Sequence, residues 1–343
     1  MDTTTRSSVK REFKGIDITK FILALLVVAG HTHPFKDITN PTFLQIWNGI
    51  LFLVVPYFFM AAGYFLFGKV FTKPDKDAQL AALWPYLKRI ISLYVYWTII
   101  FLPITIWRAA TNDLSITQDL VLFIRGTFFF GENYFSWPLW FLLSMIYSIA
   151  FIYLLIYINL KIDAIFFISI LVLIVAMIFN YSVEAETENK YVQALGKVVK
   201  YLFLTGRLFT GMFYLLMGGM IALGKIKLSR PSLALMAIIA IAFQFFKIDV
   251  FSALMFALLP VALFYITLTW HLDHVKNNAF LRRCSTVMYF THMIVFFLYI
   301  IIFRQVPYFG WDAFLVAAAV PILLTPIIIR NEERLPILKH LFG

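Results

Sequence analysis

Three ionisable residues in and around one apolar run carry the first chemical information in this chain. Asp17 and Lys20 precede the run FILALLVVAG, and His31 follows it directly. Lys20 and His31 are eleven residues apart, about three helical turns. On an α-helix they share one face, about 16 Å apart along the axis. Ionisable groups inside a membrane span are costly, and they mark pathways or reaction sites. A cation at one end of such a face and an imidazole at the other suit one long ligand, as its anchor and its base. The competing reading is that Lys20 snorkels to the headgroups and His31 only ends the helix at the interface. Asp17 lies one turn from Lys20 and about 20 Å from His31 by helix rise, so it is expected to fix the lysine rather than orient the histidine.

Further candidates lie elsewhere along the chain. Ser285, Tyr289 and His292 in STVMYFTH are spaced to share a helix face. His292 could orient His31, donate to a developing oxyanion or line a tunnel; a bond to a neighbouring helix is the structural alternative. Lys88 and Arg89 stand at the basic approach to another apolar run and could grip phosphate through charge-assisted hydrogen bonds. Arg207 opens a run containing Gly211, Gly218 and Gly219. Those glycines are read as close-packing positions, since small residues let membrane helices approach. Arg207 could bind an anionic acceptor, or snorkel. Glu132, Trp137 and Trp140 belong near the same mouth, where tryptophan faces stack on sugars or form an interfacial belt. His33, two residues past His31, is read as structural. His271 and His274 flank Asp273 at a spacing that a metal could use, but a solvated loop is the preferred reading and no metal is expected.

Composition fixes the class of molecule that must position these groups. The chain has 343 residues, 62% apolar and 14% charged, where soluble domains hold roughly 45–50% and about 25%. Apolar runs recur along the whole length, which predicts an all-α, polytopic integral membrane protein. The net charge of +11 is scattered over short loops without a basic stripe, so no nucleic-acid partner is expected. One cysteine, Cys284, excludes an intrachain disulfide. The basic start followed by an apolar core resembles a signal peptide, but cleavage would remove Lys20 and His31, and retention is expected.

Reading apolar runs between charged or Pro/Gly breaks predicts ten spans: 16–34, 47–68, 90–107, 138–158, 162–180, 208–224, 231–246, 250–270, 285–303 and 312–329. With alternating spans and residues 1–15 on the cytoplasmic side, most Lys and Arg fall in cytoplasmic segments. Both termini are therefore expected inside, with 331–343 as a cytoplasmic tail. No repeat, low-complexity segment or soluble-domain-sized loop interrupts the chain, so residues 1–343 read as one domain.

Several segments, in order, resemble the acyltransferase-3 family of integral membrane acyltransferases. KGIDITKFILALLVVAGH (14–31) resembles its opening, an Ile-Asp pair followed by a cation, ten residues and a His. VPYFFMAAGYFLFGK (55–69), YLKRIISLYVYW (86–97), WPLWFLLSMI (137–146), FYLLMGGMI (213–221) and STVMYFTH (285–292) resemble later segments. Two positions depart from the family pattern: Lys20 stands where Arg is common, and Pro138 where a His often precedes the Leu-Trp pair. Lysine keeps the charge but lacks the planar fork. The resemblance implies transfer of an acyl group, expected to be acetyl, from cytoplasmic acyl-CoA to a hydroxyl of a cell-envelope carbohydrate or similar acceptor. It also implies a bacterial cytoplasmic membrane as location. On this reading His31 and His292 are the catalytic candidates. Lys20, Lys88 and Arg89 bind acetyl-CoA, while Arg207, Trp140 and Tyr289 bind the acceptor. The chain also resembles the membrane domains of vancomycin-resistance-type serine racemases, which implies an amino-acid carrier instead. A polysaccharide export component is the third reading. A carrier needs a midplane site open to both sides; an enzyme needs a phosphate anchor and a base.

Overall fold

A computed structural model of the chain describes residues 13–244, 257–270, 272, 276–303 and 309–342. Every regular element among them is helical: α1 Lys14–Thr32, α2 Pro41–Phe52, α3 Val54–Val70, α4 Lys76–Thr111, α5 Ile116–Arg125, α6 Leu139–Tyr157, α7 Ile162–Glu184, α8 Lys190–Phe203, α9 Arg207–Ala222, α10 Arg230–Gln244, α11 Leu258–Thr269, α12 Asn278–Phe303, α13 Trp311–Asn331 and α14 Pro336–Phe342. A π-helical turn, Gly126–Phe130, extends α5.

Local chemistry sets many of the boundaries. Asn40 caps α2 through Oδ1 to the Phe43 N–H at 3.0 Å, with Pro41 in the first turn. Asp75 caps α4 in the same way, to Ala78 at 2.8 Å. Ser115 and Gln118 form a capping box at the start of α5. At the other end of α1, His33 adopts a left-handed conformation (φ 46°) and returns its N–H to Ala29. Pro34 follows, so the helix stops just past His31.

Among the described residues seven helical segments are long and apolar enough to cross a membrane: α1, α2 with α3, α4, α6, α7, α12 and α13. The pair α8 and α9 makes an eighth if taken as one span bent by 77°. The chain is a multi-pass membrane protein by these helices. Each of the ten expected runs overlaps a described helix. Those over 231–246 and 250–270 correspond to the shorter α10 and α11, and residues 245–256 lie outside the described set. The run expected over 90–107 is part of a much longer helix, because its polar first turns are capped by Asp75.

Sequence reading had no place for α5 and α8. Both are amphipathic, with polar residues at helical spacing, so neither forms a continuous apolar run. The break between α8 and α9 has a local cause. Leu204 takes φ 66°, and the Gly206 N–H leaves the helix to donate to Asn180 Oδ1 at 2.8 Å.

Helix α3 packs most intimately on α9. At Gly63 a Cβ would strike the backbone carbonyl of Leu215, so only glycine permits this approach. The expected packing glycines Gly211, Gly218 and Gly219 lie in the same interface region, against Phe59, Met60 and Phe67. The core runs from this pair to α1, α11 and α12, where the Tyr57 hydroxyl meets Thr267 at 2.8 Å.

Candidate functional site

The site is built around the contact of α1 with α12. Near one end of that contact, Asp17 is buried and its carboxylate accepts from Asn278 Nδ2 at 3.0 Å and from Arg282 Nη1 at 3.2 Å. Asp17 was expected to fix Lys20; it is close enough to act on that lysine through its charge, while its direct bonds go to α12. The aspartate ties α1 to α12, because residue 17 faces that helix while Lys20, three residues on, faces open space. Lys20 makes no ion pair or side-chain hydrogen bond among the described residues.

That open space is a cavity of about 1120 Å³ between α1, α3, α4, α6 and α12. Lys20, Lys69, Lys73, Arg89, Arg282 and Arg283 line it, and no Asp or Glu among the described residues does. His31 also lines it, three turns along α1 from Lys20. The wall between them is apolar, built from Val27, Phe58, Leu66, Leu93, Phe141 and others. The shared face expected for Lys20 and His31 is therefore present, and both residues open on one space.

Beyond the cavity wall, His31 meets His292. Their rings stack with centroids 5.5 Å apart and planes at 25°. His292 is fully buried, and its Nδ1 lies 2.7 Å from the Met288 carbonyl. A carbonyl only accepts, so Nδ1 carries the proton and the neutral ring presents a lone pair at Nε2. Nε2 is buried and has no hydrogen-bond partner among the described residues. This arrangement disfavours His292 as a neutral oxyanion donor and leaves it as a ring that supports His31. The His31 ring also neighbours Trp137, with centroids 5.6 Å apart. Trp137 in turn stacks on Phe135 at 5.6 Å and 13°. His31 itself makes no side-chain hydrogen bond among the described residues, so its ring nitrogens remain available.

The remaining expected residues divide. Tyr289 and Trp140 line the cavity. The Tyr289 hydroxyl is committed to the Pro138 carbonyl at 2.6 Å, which joins α12 to the start of α6. Arg89 lines the cavity, whereas Lys88 does not. Lys88 is one residue, about 100° of helix, away from Arg89, and its ammonium lies 5.7 Å from the Trp84 ring. Lys88 is thereby corrected from cavity cation to outward-facing residue. Arg207 is likewise not an open anion site. Its guanidinium pairs with Glu132 at 2.5 Å and covers the Trp140 ring at 5.0 Å. It backs the cavity wall instead of facing the cavity. Gly131 makes that packing possible: it takes φ 73°, and a Cβ there would collide with the Trp140 backbone.

His33 packs edge-on against Phe309, with centroids 5.0 Å apart. His271, Asp273 and His274 lie outside the described residues. Among the described residues no group of three or more His, Cys, Asp or Glu side chains could hold a metal ion. Sequence reading missed Lys69, Lys73, Arg282 and Arg283. Lys69 lies in the last turn of α3 and Lys73 in the turn that follows it, so no helical spacing signalled their shared side of the cavity. Nothing local signalled that Arg282 and Arg283 would meet Lys20.

The fold and site define a multi-pass helical membrane protein with a cationic cavity that ends at a stacked histidine pair. The chain belongs to the acyltransferase-3 family: the family's acyltransferase domain matches residues 13–330. It is also similar to two amino-acid racemases of Enterococcus faecalis, one 28% identical over 129 residues and the other 28% over 130. Those matches cover 38% and 37% of this chain but only 18% and 17% of the racemases. A serine/alanine racemase of Enterococcus gallinarum is 29% identical over 115 residues, 33% of this chain and 16% of that protein. The chain thus spans less than a fifth of the length of these relatives. No solved structure matches.

Proposed function

We propose that this acyltransferase takes its acyl group, acetyl in the simplest case, from an acyl-CoA and delivers it to a hydroxyl of a cell-envelope carbohydrate or similar acceptor in a bacterial cytoplasmic membrane. The observation that carries the reading is the one cavity shared by six cations and His31. A CoA head is a polyanion on a long, narrow arm. Lys20, Lys69, Lys73 and Arg89 are suited to its phosphates, and the apolar wall to the arm, whose thioester then reaches His31.

Neutral His31 removes the acceptor hydroxyl's proton as the oxygen attacks the thioester carbonyl. The tetrahedral intermediate collapses with cleavage of the carbon–sulfur bond. The proton held by His31 passes to the departing sulfur, so ester and CoA thiol are the products. His292 and Trp137 both pack on the His31 ring, which keeps it aimed at the cavity. Trp140, backed by Arg207, offers a flat wall to a sugar acceptor.

The amino-acid carrier reading would rest on a cation for the substrate carboxylate. Arg207, a candidate for such a contact, has its charge matched by Glu132. Thermal-shift titrations of the purified protein with acetyl-CoA and with serine separate the two. Stabilisation by acetyl-CoA and slow release of CoA support the acyltransferase reading; stabilisation by serine alone overturns it.

A further inference from the structure

The basic end of the cavity already holds a piece of this chain. Leu341 and Phe342, the last residues of α14, line it beside Arg283. Phe342 is 7% exposed. Its ring packs edge-on against Trp97, with centroids 5.5 Å apart, and against Phe290 at 6.3 Å. Its carbonyl accepts from Arg283 Nη1 at 2.5 Å, and the Leu341 carbonyl accepts from Trp97 Nε1 at 3.5 Å. Arg283 is also ion-paired with Glu332, next to the end of α13. One of the six cavity cations is therefore engaged twice by the segment 332–342.

The rest of that segment is poorly packed. Leu335 and Ile337 are 52% and 45% exposed, and Pro336, Lys339 and His340 are exposed as well. A helix of one to two turns has little stability of its own. Its place depends largely on the ring and carbonyl inserted at the cavity mouth. Those insertions use an aromatic surface and an arginine, the two features that recognise a purine ring carrying phosphate.

We propose that Leu341 and Phe342 form a resident stopper: they occupy the position of the donor's purine-phosphate head, and donor binding displaces them. The inference rests on the acyl-CoA reading for the identity of the competitor, but not for the stopper itself. When the head enters, Arg283 exchanges the Phe342 carbonyl for a phosphate oxygen, and the purine takes the surface released by the Phe342 ring. Without donor, the stopper closes the basic end of the cavity to small solutes.

Two measurements on the full chain test it. The first uses no donor. Thr286, which lines the cavity and is only partly buried, is replaced by cysteine, and its reaction with an anionic thiol reagent is timed. The parent chain, whose one cysteine, Cys284, is buried, serves as blank. Adding Phe342→Ala is expected to speed labelling several-fold, and Phe342→Trp, which keeps the socket filled, is not. Unchanged or slower labelling in the Phe342→Ala chain overturns the stopper, even if that chain is otherwise folded by its Tm. The second measures acetyl-CoA affinity by calorimetry. Phe342→Ala should bind several-fold more tightly than the parent. Weaker binding makes Phe342 a wall of the donor site and overturns the competition. Faster labelling with no acetyl-CoA binding to either chain upholds the stopper and removes the acyl-CoA reading.

Discussion

The two ends of the cavity are built on opposite principles. The basic end gathers Lys20, Lys69, Arg89, Arg282 and Arg283 from four helices and Lys73 from the turn between α3 and α4. Most are long, flexible side chains, and several carry one kind of charge toward one space. The histidine end is sparse and fixed: His31 packs on Trp137 and on a fully buried His292, whose ring is pinned by the Met288 carbonyl. A redundant cluster spreads binding over many contacts, so losing one gives a graded effect. A lone group at a fixed place gives an abrupt one. The difference matches anchoring at one end and chemistry at the other.

The largest effect should follow substitution at the fixed end. His31→Ala is expected to lower kcat for acetyl transfer about 100-fold or more, the usual scale for losing a general base. Steady-state kinetics on protein of unchanged Tm checks this, and near-normal turnover would remove His31 as the base. At the basic end, Lys20→Ala should raise the acetyl-CoA KM about 10–100-fold, since a hydrogen bond to a charged group is worth about 1.5–3 kcal/mol. Its kcat at saturating donor should hold, because an anchor used equally in ground and transition states appears in KM. Lys20→Arg should be tolerated.

Smaller effects sharpen the contrast. Arg89→Ala should raise the donor KM a few-fold, because Arg89 is exposed and shares its task. Lys88→Ala, its outward-facing neighbour, should leave KM unchanged. Equal effects of the two substitutions would contradict the cavity's register on α4. Smallest of all in kinetics should be Arg207→Gln. It leaves Glu132 without its partner, so it should lower Tm by on the order of a few degrees and leave donor KM as it was. A change confined to acceptor KM, with Tm unmoved, would restore Arg207 as an acceptor-binding residue.

What the sequence disclosed follows the range of the interactions. The Lys20–His31 face was legible because both residues lie on one helix and the spacing alone sets their geometry. The packing glycines were legible because close helix approach leaves a compositional trace. Arg89 and Lys88 could not be told apart, since choosing between adjacent residues needs the rotation of α4 about its axis. Asp17 was assigned to Lys20 by proximity along the helix, yet its partners, Asn278 and Arg282, are more than 250 residues away. The His31–His292 stack is likewise a tertiary fact, as is the Arg207–Glu132 pair. Helices α5 and α8 were passed over because a search for apolar runs does not register amphipathic helices.

The division of labour between the two ends is tested most directly by equilibrium binding of acetyl-CoA to the His31→Ala protein. Parental affinity with turnover lost is expected, because every cation that would hold the donor is untouched. Loss of acetyl-CoA binding together with turnover, in a protein that keeps its Tm, would contradict it.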